Sequence, residues 1–207
     1  MRGIVLVTSS LLALFFMAMA GSPYASARAG GDPQLAAEWQ RAWQFEETYE
    51  ALVAPLPTNP RSSVTRELSV EVNAPVDQAM AAFAAVENEA LGAGGRRYVT
   101  HRTWTDDAGS HADFTAISEA TRGHAETRIH VKQIVHRDQP VIELHTWAAP
   151  NIATHHRFEF TDLGGGRTRI TQQLMLLAPR PLVDAAVLSR VAAQLRANAT
   201  IARALSR

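Results

Sequence analysis

From residue 97 to residue 178 the chain reads as six successive strand-like runs, joined by turns so short that neighbouring strands must run antiparallel. The runs are 97–105, 111–118, 125–136, 141–149, 154–161 and 168–178. Asp106-Asp107-Ala108-Gly109, Arg122-Gly123, Asp138-Gln139-Pro140 and Gly164-Gly165-Gly166 punctuate them with residues that favour turns. After the last run the period changes from two to between three and four. Pro181 opens a helix in which Leu188, Val191, Leu195, Asn198, Ala202 and Leu205 fall on one stripe, and this stripe is predicted to face the sheet.

A further strand precedes the array. Val64, Leu68, Val70 and Val72 alternate with polar residues, Asn73-Ala74-Pro75 ends the run, and Val76, Ala79, Met80, Phe83 and Val86 mark a helix to about residue 90. Gly92 to Gly95 breaks that helix. Upstream, Asp32-Pro33 is a helix opening, a carboxylate N-cap followed by proline at the first helical position. Leu35, Trp39, Ala42, Trp43, Tyr49 and Val53 recur near helical spacing until Pro55 and Pro57 stop the run. This short amphipathic helix reads either as a strap packing Trp39 and Trp43 on the outside of the main domain or as a contact surface for a protein partner. Glu46, Glu47 and Glu50 count against an anionic membrane.

The chain begins Met1-Arg2, continues through an apolar run from Ile4 to Ala20, and reaches Gly21-Ser22-Pro23 and then Ala25-Ser26-Ala27. A basic start, an apolar middle and an A-x-A exit form a secretory signal, with cleavage expected after Ala27 and, as the second choice, after Ala20. The alternative is an uncleaved membrane anchor. Either way the expected location is periplasmic or secreted. The expected organisation is therefore a signal over 1–27, an amphipathic helix and proline-rich linker over 28–63, and one α+β domain over 64–207. There is no cysteine, so disulfides, thiolate nucleophiles and thiolate metal sites are excluded. A formal net charge of zero provides no basic field for nucleic acid.

Two local motifs resemble a known superfamily. Leu68-Ser69-Val70-Glu71-Val72-Asn73-Ala74-Pro75-Val76-Asp77 is similar to the opening strand and first helix of the START, Bet v 1 and polyketide-cyclase (SRPBCC) proteins. Arg157-Phe158-Glu159-Phe160, with Gly164-Gly165-Gly166-Arg167-Thr168-Arg169-Ile170-Thr171, resembles the last hairpin before that family's long helix. The resemblance covers about residues 64–207. It implies a helix-grip fold, with an antiparallel sheet of about seven strands wrapped around a long C-terminal helix.

Pairing strands around the 137–140 turn puts Val131, Val135, Ile142, Leu144 and Thr146 on one face, the helix-facing one. His130, Lys132, Glu143 and His145 fall on the other. In the last hairpin, Phe158 and Phe160 share a face with Ile170 and Leu174 only if the glycine turn inserts one residue, so a bulge is predicted at Gly164 to Gly166. Phe83, Ile142, Leu144, Phe158 and Phe160 would then meet Ile170 and Leu174 under a roof of Leu188, Val191 and Leu195. The resemblance implies a cavity there for a hydrophobic small molecule or lipid. A solid core fits the same periodicity. His156, Gln172 and Asn198 are the polar residues on this inner set, able to orient a ligand head, serve as acid or base, or form ordinary core hydrogen bonds.

No metal is expected. His155 and His156 are adjacent in a strand and point to opposite faces, and the other histidines lack helical ligand spacing. No nucleophile elbow, phosphate loop or dinucleotide fingerprint occurs, and no cofactor is expected. The leading expectation is periplasmic binding or carrying of a hydrophobic molecule. The alternatives are a cyclase- or hydratase-type enzyme and an accessory protein of a periplasmic enzyme.

Overall fold

The computed structural model describes residues 32–85, 96–118 and 125–206. The signal segment, the end of the second helix, the Gly92 to Gly95 break and the Arg122-Gly123 turn lie outside these residues. Helix α1 spans Pro33–Leu52, strand β1 Arg61–Val72 and helix α2 Val76–Ala84. Six strands follow: β2 (Arg96–Thr105), β3 (Gly109–Ser118), β4 (Thr127–His136), β5 (Val141–Ala148), β6 (Ile152–Gly164) and β7 (Arg167–Pro179). Helix α3, Val183–Leu205, closes the chain. The strands form one antiparallel sheet in the order β1-β7-β6-β5-β4-β3-β2, so the first and last strands pair and five hairpins complete the rest.

Two glycine sites shape this sheet. At the β2–β3 turn, Gly109 sits at φ 152°, and a Cβ there would fall 2.0 Å from the Val135 carbonyl oxygen, so only glycine lets β3 and β4 meet. At the β6–β7 turn, Gly164, Gly165 and Gly166 all take positive φ, and the register shifts by one residue between Asp162 and Gly164. The inserted residue that the alternation demanded is therefore Leu163, just before the glycines rather than within them, and Gly164 pairs with Arg167 across a two-residue turn. The shift pairs Phe158 with Gln172 and Phe160 with Ile170, which puts all four on the inner face.

The apolar inner residues form one core. Phe83 on α2 stands edge-on to Phe158 and Phe160, each 5.7 Å between ring centres, an arrangement worth roughly 0.5–1.5 kcal/mol per pair beyond area burial. Val72, Phe114, Val131, Ile142, Leu144, Ile170 and Ile201 complete the cluster. Leu174, also on the inner face, is buried, and Leu176 and Ala178 continue into a smaller cluster against Val187 on α3. Helix α3 rests mainly on β1 and β7, and α2 bridges it to β5 and β6.

Helix α1 packs on the opposite face. Asp32 caps it, its carboxylate accepting from the Gln34 and Leu35 amides at 3.1 and 3.0 Å. Leu35, Trp39, Ala42, Trp43, Glu46 and Tyr49 are its buried residues. The Trp39 indole donates to the Val131 carbonyl at 3.1 Å, and Lys132 lies 4.5 Å over the Trp43 ring. The aromatic stripe is thus a strap on the outer face. β1 starts at Arg61, earlier than the linker expected over 54–63, because Arg61 is held there by a buried ion pair with Glu46 and lies 3.8 Å over the Tyr49 ring. No described helix is long and apolar enough to cross a membrane.

Candidate functional site between the sheet and the C-terminal helix

Apart from Thr168, which donates to the Ala74 carbonyl at 2.7 Å, the inner face of β5, β6 and β7 is apolar except for one patch. Thr146, Thr154, His156 and Gln172 occupy adjacent inward positions, and each is buried, His156 and Gln172 at 0% exposure. Facing them, α3 turns Arg190, Gln194 and Asn198 toward the sheet, spaced four apart on one stripe.

These side chains form a continuous chain of hydrogen bonds. The Gln194 amide donates to Asn198 Oδ1 at 2.9 Å, Asn198 Nδ2 donates to Gln172 Oε1 at 3.4 Å, and Gln172 Nε2 donates to His156 Nδ1 at 2.7 Å. An acceptor at Nδ1 puts the ring proton on Nε2, which meets Thr154 Oγ1 at 2.9 Å, and Thr154 in turn meets Thr146 Oγ1 at 2.6 Å. Arg190 Nη2 lies 3.2 Å from the same Nε2. Turning the amides over reverses the chain, moves the proton to Nδ1 and lets Nε2 accept from Arg190. The second arrangement is the one that suits Arg190, whose N–H would otherwise face the Nε2 proton. Burial holds the His156 pKa well below its usual value, and the Arg190 charge adds to the effect. At neutral pH the ring is an uncharged donor and acceptor.

The structure brings His156, Gln172 and Asn198 together as one network. It buries Phe83, Ile142, Leu144, Phe158, Phe160, Ile170 and Leu174 on the inner face at 0–7% exposure. Val191 is half-buried beside the smaller cluster. Two roof residues require correction: Leu188 and Leu195 are 73% and 50% exposed and face away from the sheet. The inner face of α3 is Val187, Gln194, Ala197, Asn198 and Ile201, about one residue round from the stripe read from hydrophobicity. The polar sheet patch is the cause, because it selects polar partners from α3 and leaves two leucines outside. Arg190 and Gln194 were missed for this reason.

A second buried polar chain lies under α1. His101 Nε2 meets Thr115 Oγ1 at 2.8 Å, and Thr115 Oγ1 meets His130 Nδ1 at 3.0 Å. Glu38 on α1 lies 3.5 Å from His130 Nε2. Burial lowers both histidine pKa values below 6.5, with the Asp32 charge opposing it at His101 and Glu38 opposing it at His130.

No protein-family description matches the chain, and no curated protein matches it by sequence. Solved structures do match by shape. The Zhui aromatase/cyclase from Streptomyces sp. R1128 superposes at TM-score 0.50 and 15% identity, over 69% of this chain and 94% of that one. The di-domain aromatase/cyclase StfQ of the steffimycin biosynthetic pathway gives TM-score 0.52 and 18% identity, over 69% of this chain and 45% of that one. A START superfamily protein from Mycobacterium smegmatis gives 0.48 and 14%, over 69% and 99%. The α+β helix-grip fold of the aromatase/cyclases is therefore the fold of this chain. At these identities the likeness speaks to fold alone, and the chemistry rests on this chain's own residues.

Proposed function

We propose that this helix-grip protein binds a small, largely apolar molecule carrying one polar oxygen function, between the sheet and α3. The observation that carries the reading is the placement of a half-buried guanidinium, Arg190, 3.2 Å from a buried, neutral imidazole that ends a chain of buried amides. Buried polar groups cost stability unless fully bonded, and a packed apolar interior would be cheaper. A carbonyl, phenolate or carboxylate oxygen beside Arg190 gives that arrangement a use, since guanidinium binds such oxygens with charge-assisted bonds. The apolar body of the ligand would lie along the Val187 and Val191 side of the helix, in room made when α3 shifts from the sheet. The two aromatase/cyclases of the same fold make aromatic polyketides a reasonable chemical class to test first, with lipids second. The signal-like N-terminus supports a periplasmic or secreted place of work.

Binding is preferred over catalysis because the side chains bonded to His156 are Thr154, Gln172 and Arg190, none of which is a second proton carrier at neutral pH. A thermal-shift panel of aromatic polyketides, fatty acids and phospholipids tests the reading. A ligand binding the folded state raises the melting temperature in a concentration-dependent way, by about 2.7 kcal/mol of added stability at one hundred times its Kd. If no class shifts it, the reading falls. Turnover of a bound compound would instead favour the cyclase- or hydratase-type alternative.

A further inference from the structure

On the outer face, away from the network just described, four metal-ligating side chains converge. His145 and His155 are directly opposite each other in the β5–β6 ladder, and Glu143 lies two residues along β5 on the same face. Glu143, His145 and His155 each present a ligand atom, and these atoms all lie within 4.8 Å of one another. His136, at the end of β4, adds Nε2 at 3.7 Å from Glu143 Oε2, and His155 Nε2 lies 4.0 Å from the same oxygen.

These separations are too long for hydrogen bonds. His136 Nε2 and His155 Nε2 are both buried atoms without a hydrogen-bond partner, although their rings are partly exposed. Two orphaned nitrogens aimed at one carboxylate oxygen need something between them. A divalent ion with bonds of about 2.0–2.2 Å holds tetrahedral ligand atoms roughly 3.3–3.6 Å apart, so the widest pair in the cluster must close by up to about 1.5 Å. Closing the site also tilts the His145 and His155 rings out of their 4.0 Å stack. Arg157 takes the other carboxylate oxygen of Glu143 at 2.5 Å and fixes the oxygen that faces the histidines.

We propose that Glu143, His145, His155 and His136 form a binding site for a divalent transition-metal ion on the outer face of the sheet. Imidazole nitrogens with one carboxylate suit zinc, nickel or copper and disfavour calcium and magnesium, which take oxygen ligands. The side chains of Glu143, His155 and His136 are 20–33% exposed, so an ion can enter without unfolding. The site is separate from the proposed ligand site, and neither reading depends on the other.

Competition between the full chain and a chromophoric zinc chelator tests it, with Cu²⁺ and Mg²⁺ titrated in parallel. The expected result is one ion per chain, Mg²⁺ excluded, and a melting temperature raised by Zn²⁺. His145→Gln and His155→Gln should each weaken zinc binding at least about tenfold, since even changes to groups behind the ligands cost 10–100-fold. His111→Gln, which alters a histidine stacked on Trp104 elsewhere on the surface, should leave it unchanged. Far-ultraviolet circular dichroism of each variant confirms folding without metal. Absence of stoichiometric binding overturns the proposal, as does equal binding by wild type and both strand variants.

Discussion

Gln172 Nε2 donates to His156 Nδ1 at 2.7 Å across the β6–β7 ladder, with both residues fully buried. The contact exists only because the bulge between Asp162 and Gly164 shifts β7 by one position. Without that extra residue Gln172 would fall on the outer face.

Gln172→Leu should destabilise the protein by about 1–3 kcal/mol, because it leaves His156 Nδ1 and Asn198 Nδ2 buried without their partner. Urea denaturation of this variant and of the His156→Phe, Gln172→Leu double variant gives the coupling. The double variant should lose less than the sum of the two single losses. Strict additivity would mean that the bond contributes nothing.

Phe83→Ala removes the ring that meets both Phe158 and Phe160, in a core with no room to collapse. The expected loss is about 3–5 kcal/mol, read as a lower denaturation midpoint at unchanged slope.

Leu188→Lys and Leu195→Lys should each change stability by no more than about 0.5 kcal/mol, since both side chains point to solvent. Val187→Lys, on the buried face of α3, should be strongly destabilising. Equal sensitivity at positions 187 and 188 would restore the helix face read from hydrophobicity.

Acid should loosen α1. Burial depresses the folded-state pKa values of His101 and His130 below 6.5, so the unfolded chain takes up protons first as pH falls. The stability from the neutral rings is present above pH 6.5 and is lost as pH drops through that value toward the folded pKa values. Tryptophan emission, which includes Trp39 beside His101 and Trp147 stacked on His130, should shift to the red as pH falls below 6.5. His130→Gln should weaken the transition. An unchanged emission spectrum across that range would show that the chain under α1 is insensitive to protons.

The strand count, the inner face and the bulge were legible because alternation fixes which side chains can share a face, and Phe158, Phe160, Ile170 and Leu174 demanded one inserted residue. The α3 face was not, since hydrophobicity alone assigned Leu188 and Leu195 inward. Asn198 was on the expected inward stripe, and only the polar patch on β5, β6 and β7 explains why Arg190 and Gln194 join it there. The outer cluster escaped for another reason. Alternation alone does not fix the register of β5 against β6 across the Ala149-Pro150-Asn151 turn, and without that register His145 and His155 are merely ten residues apart.

Native mass spectrometry of the full chain, wild type beside Arg190→Met, tests the central claim most directly. The account predicts one small molecule per wild-type chain, extractable into organic solvent, and its loss from the variant while near-ultraviolet circular dichroism stays the same. Bare protein mass in the wild type, with nothing bound after addition of the panel compounds, would contradict it.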